Sequence, residues 1–215
     1  MKKIACLLVV GLLAARPAAA QRVLDNQDRY DDAFRKYSKR FFGVGFDWQY
    51  FKAQGLAESG LDPLARSPVG ARGVMQLMPG TYAMIKKARS EQFGSIEDPE
   101  WNIAAGILYN RDLWHIWASN PDETERLRFM FGSYNAGPGT IKRATRVAKT
   151  RQLDDRTWKS VETVAPAVQR WRYRETLPYV RKIEENHRTL GGASRSKIVK
   201  RPKEETRAPS AQPAR

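Results

Sequence analysis

Apolar side chains recur along this chain at the spacing of an α-helix, and this pattern limits the folds that the chain can adopt. A clear i, i+3, i+4, i+7 stripe is formed by Trp101, Ala104, Ala105 and Leu108. The pair Asp98-Pro99 before this stripe is typical of a helix start, because proline is well tolerated at the first helical position. No alternating run of apolar and polar residues is long enough to predict a strand. The sequence therefore predicts a mainly α protein.

The same pattern divides the chain into a series of helices and one long loop. We predict helices over residues 21–42, 48–59, 81–88, from 99 onward, 122–135, 138–150 and 174–190. Residues 61–73, LDPLARSPVGARG, contain two prolines and two glycines, which predict an ordered loop. With 215 residues and 41% hydrophobic content, the chain can build one core, so we expect a single domain over residues 21–190.

The first twenty residues have the pattern of a secretory signal peptide. Lys2 and Lys3 precede an apolar run over residues 4–15, and three alanines end at Ala20. An apolar run of about a dozen residues is shorter than the roughly 20 that a membrane-spanning helix needs. We therefore predict a signal peptide over residues 1–20 and a periplasmic or secreted mature protein without a transmembrane segment. Cleavage removes Cys6, the only cysteine, so the core rather than disulfides must stabilise the fold.

The C-terminal segment, residues 191–215, differs in composition from the rest of the chain. It has three prolines, no aromatic residue, and seven basic against two acidic residues. Such a segment buries too little apolar surface to offset the entropy of ordering, so we predict a disordered basic tail. Two interpretations of the tail stay open, a tether to the cell wall and a plain solubilising segment.

The excess of basic residues indicates a polyanionic partner. The formal net charge is +15, and loss of Lys2, Lys3 and Arg16 with the signal peptide lowers it to +12. An anionic cell wall or membrane surface suits an exported protein better than nucleic acid, and no nucleic-acid-binding motif is visible. The two histidines, His115 and His187, are far apart in sequence, so we expect no metal site and no cofactor.

Glu58 is the residue whose position is hardest to explain by stability alone. It lies in the last turn of the predicted helix that ends at Gly60, where the helix dipole disfavours a negative charge by roughly 0.3–1 kcal/mol. Phe51, Gln54 and Gly55 are predicted to share its face, which is partly apolar and leaves room for a ligand beside the glycine. Desolvation and the dipole both favour the neutral acid. We therefore expect a raised pKa for Glu58 and a general acid that works near neutral pH.

Four sequence blocks place Glu58 in a wider pattern. They are Glu58-Ser59, GVMQLMP at 73–79, SYNAG at 133–137 and ETLPYV at 175–180. Their types and order resemble those of the family 1 soluble-type lytic transglycosylases over about residues 45–188, although Ser133 stands where alanine is commoner. The resemblance implies a lysozyme-like helical fold and peptidoglycan as the substrate. It also implies cleavage of the β-1,4 bond between N-acetylmuramic acid and N-acetylglucosamine, with formation of a 1,6-anhydro ring.

The chemistry requires either a second carboxylate or a nucleophile from the substrate. A hydrolytic glycosidase normally uses two carboxylates roughly 5–9.5 Å apart. The nearest candidate in sequence is Asp62, beside Pro63, which we interpret as a turn-former. In the scheme that the resemblance implies, Glu58 protonates the leaving glycosidic oxygen, the 2-acetamido carbonyl assists at C1, and the carboxylate then takes the proton of the C6 hydroxyl.

The resemblance implies roles for five further residues. Tyr134 matches a tyrosine whose hydroxyl points at the catalytic carboxylate. Ser67 and Gln76 match polar groups of the saccharide groove, Met78 matches an apolar contact to a sugar face, and Glu175 matches a second acidic residue of the groove. Structural roles stay open for each: ring packing for Tyr134, a loop cap for Ser67, a solvated side chain for Gln76, core filling for Met78 and a surface ion pair for Glu175.

Three alternatives to an exported transglycosylase stay open at this point. The first is a hydrolytic muramidase resembling goose-type lysozyme, and the second is a cell-wall-binding or scaffold protein without turnover. The third, a nucleic-acid binder, rests on charge alone, and we expect no nucleic-acid partner. The expected partners are peptidoglycan glycan strands, with cell-wall or secretion-machinery proteins as further candidates.

Overall fold

Eight α-helices and one short 3₁₀-helix make up most of the part of the chain that the structure describes. The structure is a computed structural model, and it describes residues 28–88 and 93–191. The helices are α1 (Asp31–Phe42), α2 (Gln49–Ser59), α3 (Pro79–Ala88), α4 (Pro99–Ile116), α5 (Glu123–Ala136), α6 (Pro138–Thr150), α7 (Trp158–Val164), the 3₁₀-helix Ala165–Ala167, and α8 (Tyr173–Thr189). The predicted mainly α class is therefore confirmed.

Helix α4 runs through the core. Its start is the one that the sequence predicts, because the Asp98 carboxylate accepts hydrogen bonds from the amides of Glu100 and Trp101. The following residues are at most 2% exposed: Ile103, Ala104, Ala105, Ile107 and Leu108. Helix α4 packs against α1 and α5, α2 lies against α8, and α5 also contacts α6 and α8. The end of α2 is thus held among the central helices.

Most helices were predicted from the sequence, but α7 was not, and the predicted range of the first helix is longer than α1. Helix α1 begins at Asp31, within the predicted range 21–42, whose first seven residues lie outside the described residues. Helix α7 was not predicted, although Thr157 caps it by accepting a hydrogen bond from the Ser160 amide. This helix is only seven residues long, too short to show a helical period. The predicted signal peptide (1–20) and almost all of the predicted tail (192–215) lie outside the described residues.

Membrane insertion through a helix can be examined for the described part of the chain. Within residues 28–88 and 93–191, no helix combines the length and the apolar character needed to cross a bilayer.

The loop between α2 and α3, residues 60–78, includes the segment predicted over residues 61–73 and is ordered by its own backbone hydrogen bonds. The Ser67 amide donates to the Ala71 carbonyl at 3.0 Å. Arg72 and Leu77 exchange two amide-to-carbonyl bonds, each of 3.0 Å. Because these bonds satisfy polar groups that a helix would otherwise pair, the loop holds a fixed shape against the core.

Gly106 allows α4 to approach Val74 and Met75, which form the inner end of this loop. A Cβ atom at Gly106 would lie 2.8 Å from both Cβ and Cγ of Met75, which is fully buried. We expect Gly106→Ala to lower the free energy of unfolding by about 1–3 kcal/mol through overpacking, measured by urea denaturation. Gly139→Ala is the matched control, because its Cβ would have only Arg143 Nη1 nearby, at 3.9 Å. Equal losses in both variants would contradict the packing argument.

Candidate active site

The end of α2 fixes the position of Glu58. Gly60 adopts a left-handed φ of 66°, which glycine tolerates easily. The amides of Gly60 and Leu61 donate to the carbonyls of Leu56 and Gly55 at 3.2 and 3.4 Å. The last turn of α2 contains no basic residue, so no cation within that turn offsets the negative charge of Glu58.

Glu58 is a half-buried residue, and its carboxyl group is unusually basic. Burial raises the pKa of Glu58 from its ordinary value near 4.5 to about 7. A hydrogen bond from Tyr179 acts in the opposite direction and lowers this pKa. The direction of the shift agrees with the expectation from the sequence. With a pKa of about 7, Glu58 can give and then take a proton near neutral pH.

Tyr179 on α8 contacts the Glu58 carboxylate. Its hydroxyl donates to Glu58 Oε1 at 2.5 Å. The same hydroxyl oxygen accepts a hydrogen bond of 3.0 Å from Gln54 Nε2. Because Gln54 supplies a donor, the proton of Tyr179 is directed away from Gln54 and toward Glu58. Burial and the negative charge of Glu58 raise the pKa of Tyr179 well above its ordinary value, which keeps the phenol protonated as a donor.

Two buried side-chain amides orient the hydroxyl of Tyr179. Gln54 on α2 and Asn110 on α4 are both fully buried. Asn110 Nδ2 donates to Gln54 Oε1 at 2.6 Å and to the Gly106 carbonyl at 3.0 Å. This contact fixes the orientation of the Gln54 amide, since its oxygen faces Asn110 and its nitrogen faces Tyr179. Three helices therefore contribute to one ordered chain of donors that ends at Glu58.

The role of Gly55 differs from the one expected. From the sequence, Gly55 is expected to leave room for a ligand beside Glu58. A Cβ atom there would instead lie 2.9 Å from Leu61 Cδ2 and 3.2 Å from Phe34 Cζ. That interpretation is wrong, because the space beside Gly55 is filled by core side chains, and the glycine allows α2 to pack closely.

The backbone of Val74 and Met75 is held beside Glu58 by three hydrogen bonds. The Ser59 hydroxyl donates to the Val74 carbonyl at 2.8 Å. The Tyr134 hydroxyl donates to the Met75 carbonyl at 2.8 Å, and the Met75 amide donates to Asn102 Oδ1 at 2.8 Å. The inner end of the loop is thus fixed to α2, α4 and α5 together.

Tyr134 lies near Glu58 without a hydrogen bond to it in the structure. Its hydroxyl donates to the Met75 carbonyl instead, and the centroid of its ring lies 5.3 Å from that of the Tyr109 ring. Burial raises the pKa of Tyr134 well above its ordinary value, and the charge of Glu58 adds to this effect. The resemblance implies a Tyr134 hydroxyl that points at the carboxylate, but in this structure the Tyr179 hydroxyl makes that contact. A role for Tyr134 in catalysis stays a prediction.

Gln76 and Ser67 both make hydrogen bonds within the loop. Gln76 adopts a left-handed φ of 45°, which is unfavourable for a residue with a side chain. Its Nε2 donates to the carbonyls of Ala65 and Gly73 at 3.1 and 3.0 Å. Ser67 Oγ accepts a hydrogen bond of 2.9 Å from the Ala71 amide. Both side chains brace the loop, and any contact of theirs with a saccharide stays a prediction.

Met78 and Glu175 lie on the surface. Met78 is 42% exposed, so it does not fill the core. Glu175 is exposed in the first turn of α8 and forms an ion pair of 3.3 Å with Arg172. An ion pair this exposed contributes little to stability. Glu175 lies one turn before Tyr179 and so on the same face of α8.

Asp62 has the structural role that the sequence predicts. It is exposed, and its Oδ1 accepts a hydrogen bond of 2.8 Å from the Leu64 amide, which is the geometry of a turn. Among the described residues, the influences resolved on the pKa of Glu58 are burial and Tyr179, with no contribution from a second carboxylate. No group of three or more His, Cys, Asp or Glu side chains in that part of the chain could hold a metal ion.

Tyr179 and Asn110 are site residues that were not predicted from the sequence. Tyr179 was inside a quoted block, ETLPYV, but received no role. Its contact with Glu58 joins residues 121 positions apart, which local spacing does not indicate. Gln54 carried a usable signal, since it lies four residues before Glu58 on the same helical face. Asn110 carried one as well, because an amide in the middle of an otherwise apolar helix face needs a partner.

The raised pKa of Glu58 predicts a pH-dependent stability. The carboxyl is neutral in both the folded and unfolded states below about pH 4.5, so burial then costs little. Between about pH 4.5 and 7 the unfolded chain ionises while the folded carboxyl stays protonated, so the folded state loses up to about 3 kcal/mol of stability, the full amount being reached above pH 7. We therefore expect Glu58→Gln to be more stable than the parent chain at pH 8 but not at pH 4, measured by urea denaturation. A stability difference that is the same at both values would contradict the raised pKa.

Comparison with protein families gives one match over most of the helical region. The family described as "Transglycosylase SLT domain" matches residues 34–157. Two similar proteins are both named membrane-bound lytic murein transglycosylase F. The one from Desulfosudis oleivorans is 32% identical over 161 residues, which cover 74% of this chain and 33% of that protein. The one from Vibrio cholerae is 33% identical over 153 residues, which cover 71% of this chain and 27% of that protein. The chain thus spans about a third or less of the length of these relatives.

Comparison with solved structures supports the fold. The 70 kDa soluble lytic transglycosylase SLT70 from Escherichia coli is 28% identical, with a TM-score of 0.59 over 77% of this chain and 25% of that one. A complex of the 70-kDa soluble lytic transglycosylase with bulgecin A is 25% identical, with a TM-score of 0.57 over 81% of this chain and 26% of that one. The lytic transglycosylase Slt from Pseudomonas aeruginosa is 22% identical, with a TM-score of 0.59 over 77% of this chain and 25% of that one, and supports the fold alone. The expected lysozyme-like helical fold is confirmed.

Proposed function

Because the chain belongs to the transglycosylase SLT domain family, we propose that it is an exported peptidoglycan lytic transglycosylase. It cleaves the β-1,4 bond between N-acetylmuramic acid and N-acetylglucosamine and leaves a 1,6-anhydro ring on the muramic sugar. The observation that carries this proposal is Glu58, a half-buried carboxyl with a pKa of about 7 and a tyrosine hydroxyl held against it.

The reaction uses one proton carrier and no water. Protonated Glu58 gives its proton to the glycosidic oxygen as the bond between that oxygen and C1 breaks. The 2-acetamido carbonyl of the muramic sugar assists at C1. The Glu58 carboxylate then takes the proton of the C6 hydroxyl as O6 bonds to C1, which restores the acid. No atom is added from solvent, so a second carboxylate that activates water is unnecessary.

Tyr179 and the amides behind it support the ionised state of Glu58. After the first proton transfer the carboxylate is charged in a poorly solvated site. The Tyr179 hydroxyl, oriented by Gln54, donates to that charge and lowers the free energy of the intermediate. The carboxylate needs this donor because burial alone favours the neutral acid. Gln54 and Asn110 are positioning residues in this scheme.

The other predicted site residues contact the sugar, shape the loop or line the groove in this proposal. Met78, which is exposed, contacts an apolar sugar face. Gln76 and Ser67 shape the loop beside the groove, which their hydrogen bonds support. Glu175 lines the groove beyond Tyr179, and Tyr134 fixes the Met75 carbonyl near Glu58. Residues 1–20 direct export, which agrees with a substrate outside the cytoplasm.

Product analysis tests the proposal. The mature chain, residues 21–215, is incubated with purified sacculi in water enriched in heavy oxygen, and the released muropeptides are measured by mass spectrometry. We expect muramic ends in the anhydro form without heavy oxygen. Reducing muramic ends that carry heavy oxygen would instead identify a hydrolytic muramidase. Binding to sacculi without release of fragments would identify a wall-binding protein, and retention on DNA without wall activity would identify a nucleic-acid binder.

A further inference from the structure

Helix α6 combines a buried apolar face with an exposed basic one. The buried face is formed by Ile141, Ala144 and Ala148, each fully buried. The exposed face carries Lys142, Arg146 and Lys149 at the i, i+4, i+7 spacing, so their side chains lie along one line. Arg143 and Arg151 are two further basic residues of the same segment. We call Lys142, Arg146 and Lys149 the cationic face.

The cationic face lacks the acidic partners that other basic residues of the protein have. Residues 138–153 contain no Asp or Glu. In the described part of the chain, no salt bridge involves a residue of the cationic face. Elsewhere the described basic side chains often reach a carboxylate, as Lys36 does with Glu100 at 2.7 Å and Arg181 with Glu162 at 2.8 Å. Like charges three and four residues apart on a helix repel each other, so this arrangement does not serve the stability of α6.

The cationic face lies on the helix that follows Tyr134 directly in the chain. Tyr134 lies in the last turn of α5, and α6 starts at Pro138 directly after that helix. The face then extends over about 10 Å from Lys142 to Lys149, at the rise of an α-helix. A polymer that continues from the site along α6 would meet these cations in succession.

We propose that the cationic face binds the carboxylates of the peptide stems that peptidoglycan carries on its muramic sugars. This inference rests on the proposed function, because it assigns a second contact to the same substrate. Three cations in a line suit a strand that presents carboxylates at intervals, and their exposure leaves each one free to reach a flexible peptide. An anionic bilayer fits less well, because the apolar face of α6 is buried in the core and unavailable for insertion between lipids.

The test compares two variants that lose the same charge. The triple variant Lys142→Gln, Arg146→Gln, Lys149→Gln removes the cationic face, and Lys39→Gln, Lys86→Gln, Lys87→Gln removes three exposed lysines from α1 and α3. Both are made in the Glu58→Gln background so that binding is measured without turnover. Binding is followed by co-sedimentation with intact sacculi and with glycan strands whose peptides an amidase has removed.

We expect the triple variant of α6 to bind intact sacculi about tenfold more weakly at low salt, from three exposed ionic contacts of modest strength each. The difference should shrink at high salt, where exposed charges are screened. The control variant should bind within about twofold of the parent, and all three proteins should bind the peptide-free strands equally. Circular dichroism melting checks that the variants remain folded.

Several outcomes would overturn the inference. One is an equal loss of binding to intact sacculi in the control variant. Another is that the α6 triple variant loses as much binding to peptide-free strands as to intact sacculi, and a third is that it loses no binding to intact sacculi. A loss of binding only to vesicles of anionic phosphatidylglycerol would assign the face to a membrane surface instead. Failure of the proposed function is a separate result, because it appears as the absence of released fragments when the chain with Glu58 intact is incubated with sacculi.

Discussion

Glu58→Gln lowers the rate at which sacculi are solubilised by about 10²–10⁴-fold, the range that general acid catalysis contributes. The substitution is nearly isosteric, and the glutamine carbonyl can still accept the hydrogen bond of Tyr179. What it removes is the proton that Glu58 gives to the leaving oxygen in the proposed mechanism. Because the contacts of α2 with α4 and α8 do not involve that proton, we expect the helical circular dichroism spectrum and sacculus binding to stay close to those of the parent chain.

The same substitution, glutamate to glutamine, elsewhere on the surface provides the control. Glu185 is exposed on α8 and forms an ion pair of 3.4 Å with Lys182, so Glu185→Gln should leave the rate of solubilisation unchanged. If the Glu58→Gln chain clears sacculi at more than about a tenth of the parent rate, far above the loss expected for a missing general acid, then Glu58 is not the proton donor.

Tyr179→Phe moves the alkaline limb of the pH profile to higher pH and lowers the maximal rate by about 10–100-fold. The hydrogen bond from Tyr179 lowers the pKa of Glu58, so its loss raises that pKa above about 7. The acid then stays protonated to higher pH, which shifts the limb of kcat/KM upward. The carboxylate formed in the first step also loses a donor, and a hydrogen bond to a charged group contributes about 1.5–3 kcal/mol. The measurement is kcat/KM for a defined muropeptide chain between pH 5 and 9.

Tyr134→Phe is the matched comparison, because it removes the same atom from a neighbouring ring. Its hydroxyl bonds the Met75 carbonyl rather than Glu58, so we expect an unchanged alkaline limb. Its main effect should be a loss of about 1–3 kcal/mol in the free energy of unfolding, from an unpaired buried carbonyl. If the alkaline limb moves in Tyr134→Phe and not in Tyr179→Phe, Tyr134 sets the protonation of Glu58 in solution, as the resemblance alone implied.

The features predicted well from the sequence depend on local physics. Helix α4 was located because a capping aspartate, a proline and an apolar stripe follow one another within about ten residues. Glu58 was singled out because a carboxylate in the last turn of a helix is locally unfavourable. Its raised pKa follows from burial, which the partly apolar face of α2 already indicated.

The features predicted poorly depend on contacts between distant parts of the chain. Tyr179 and Glu58 meet only because α8 packs along α2, and nothing in either segment alone specifies that contact. Gly55 was misinterpreted for a related reason, since the side chains that fill the space beside it include Phe34 from α1. Periodicity identifies a buried face, but it does not identify the partner that buries it.

The fixation of Val74 and Met75 by three helices separates the loop into two parts with different tolerance to change. Its inner end cannot shift without displacing Glu58, whose neighbour Ser59 holds the Val74 carbonyl. Its outer end, residues 68–70, is exposed. Under the proposed function, we expect insertions and substitutions there to leave Glu58 in place, so new substrate preferences can evolve or be engineered in this segment without loss of the underlying chemistry.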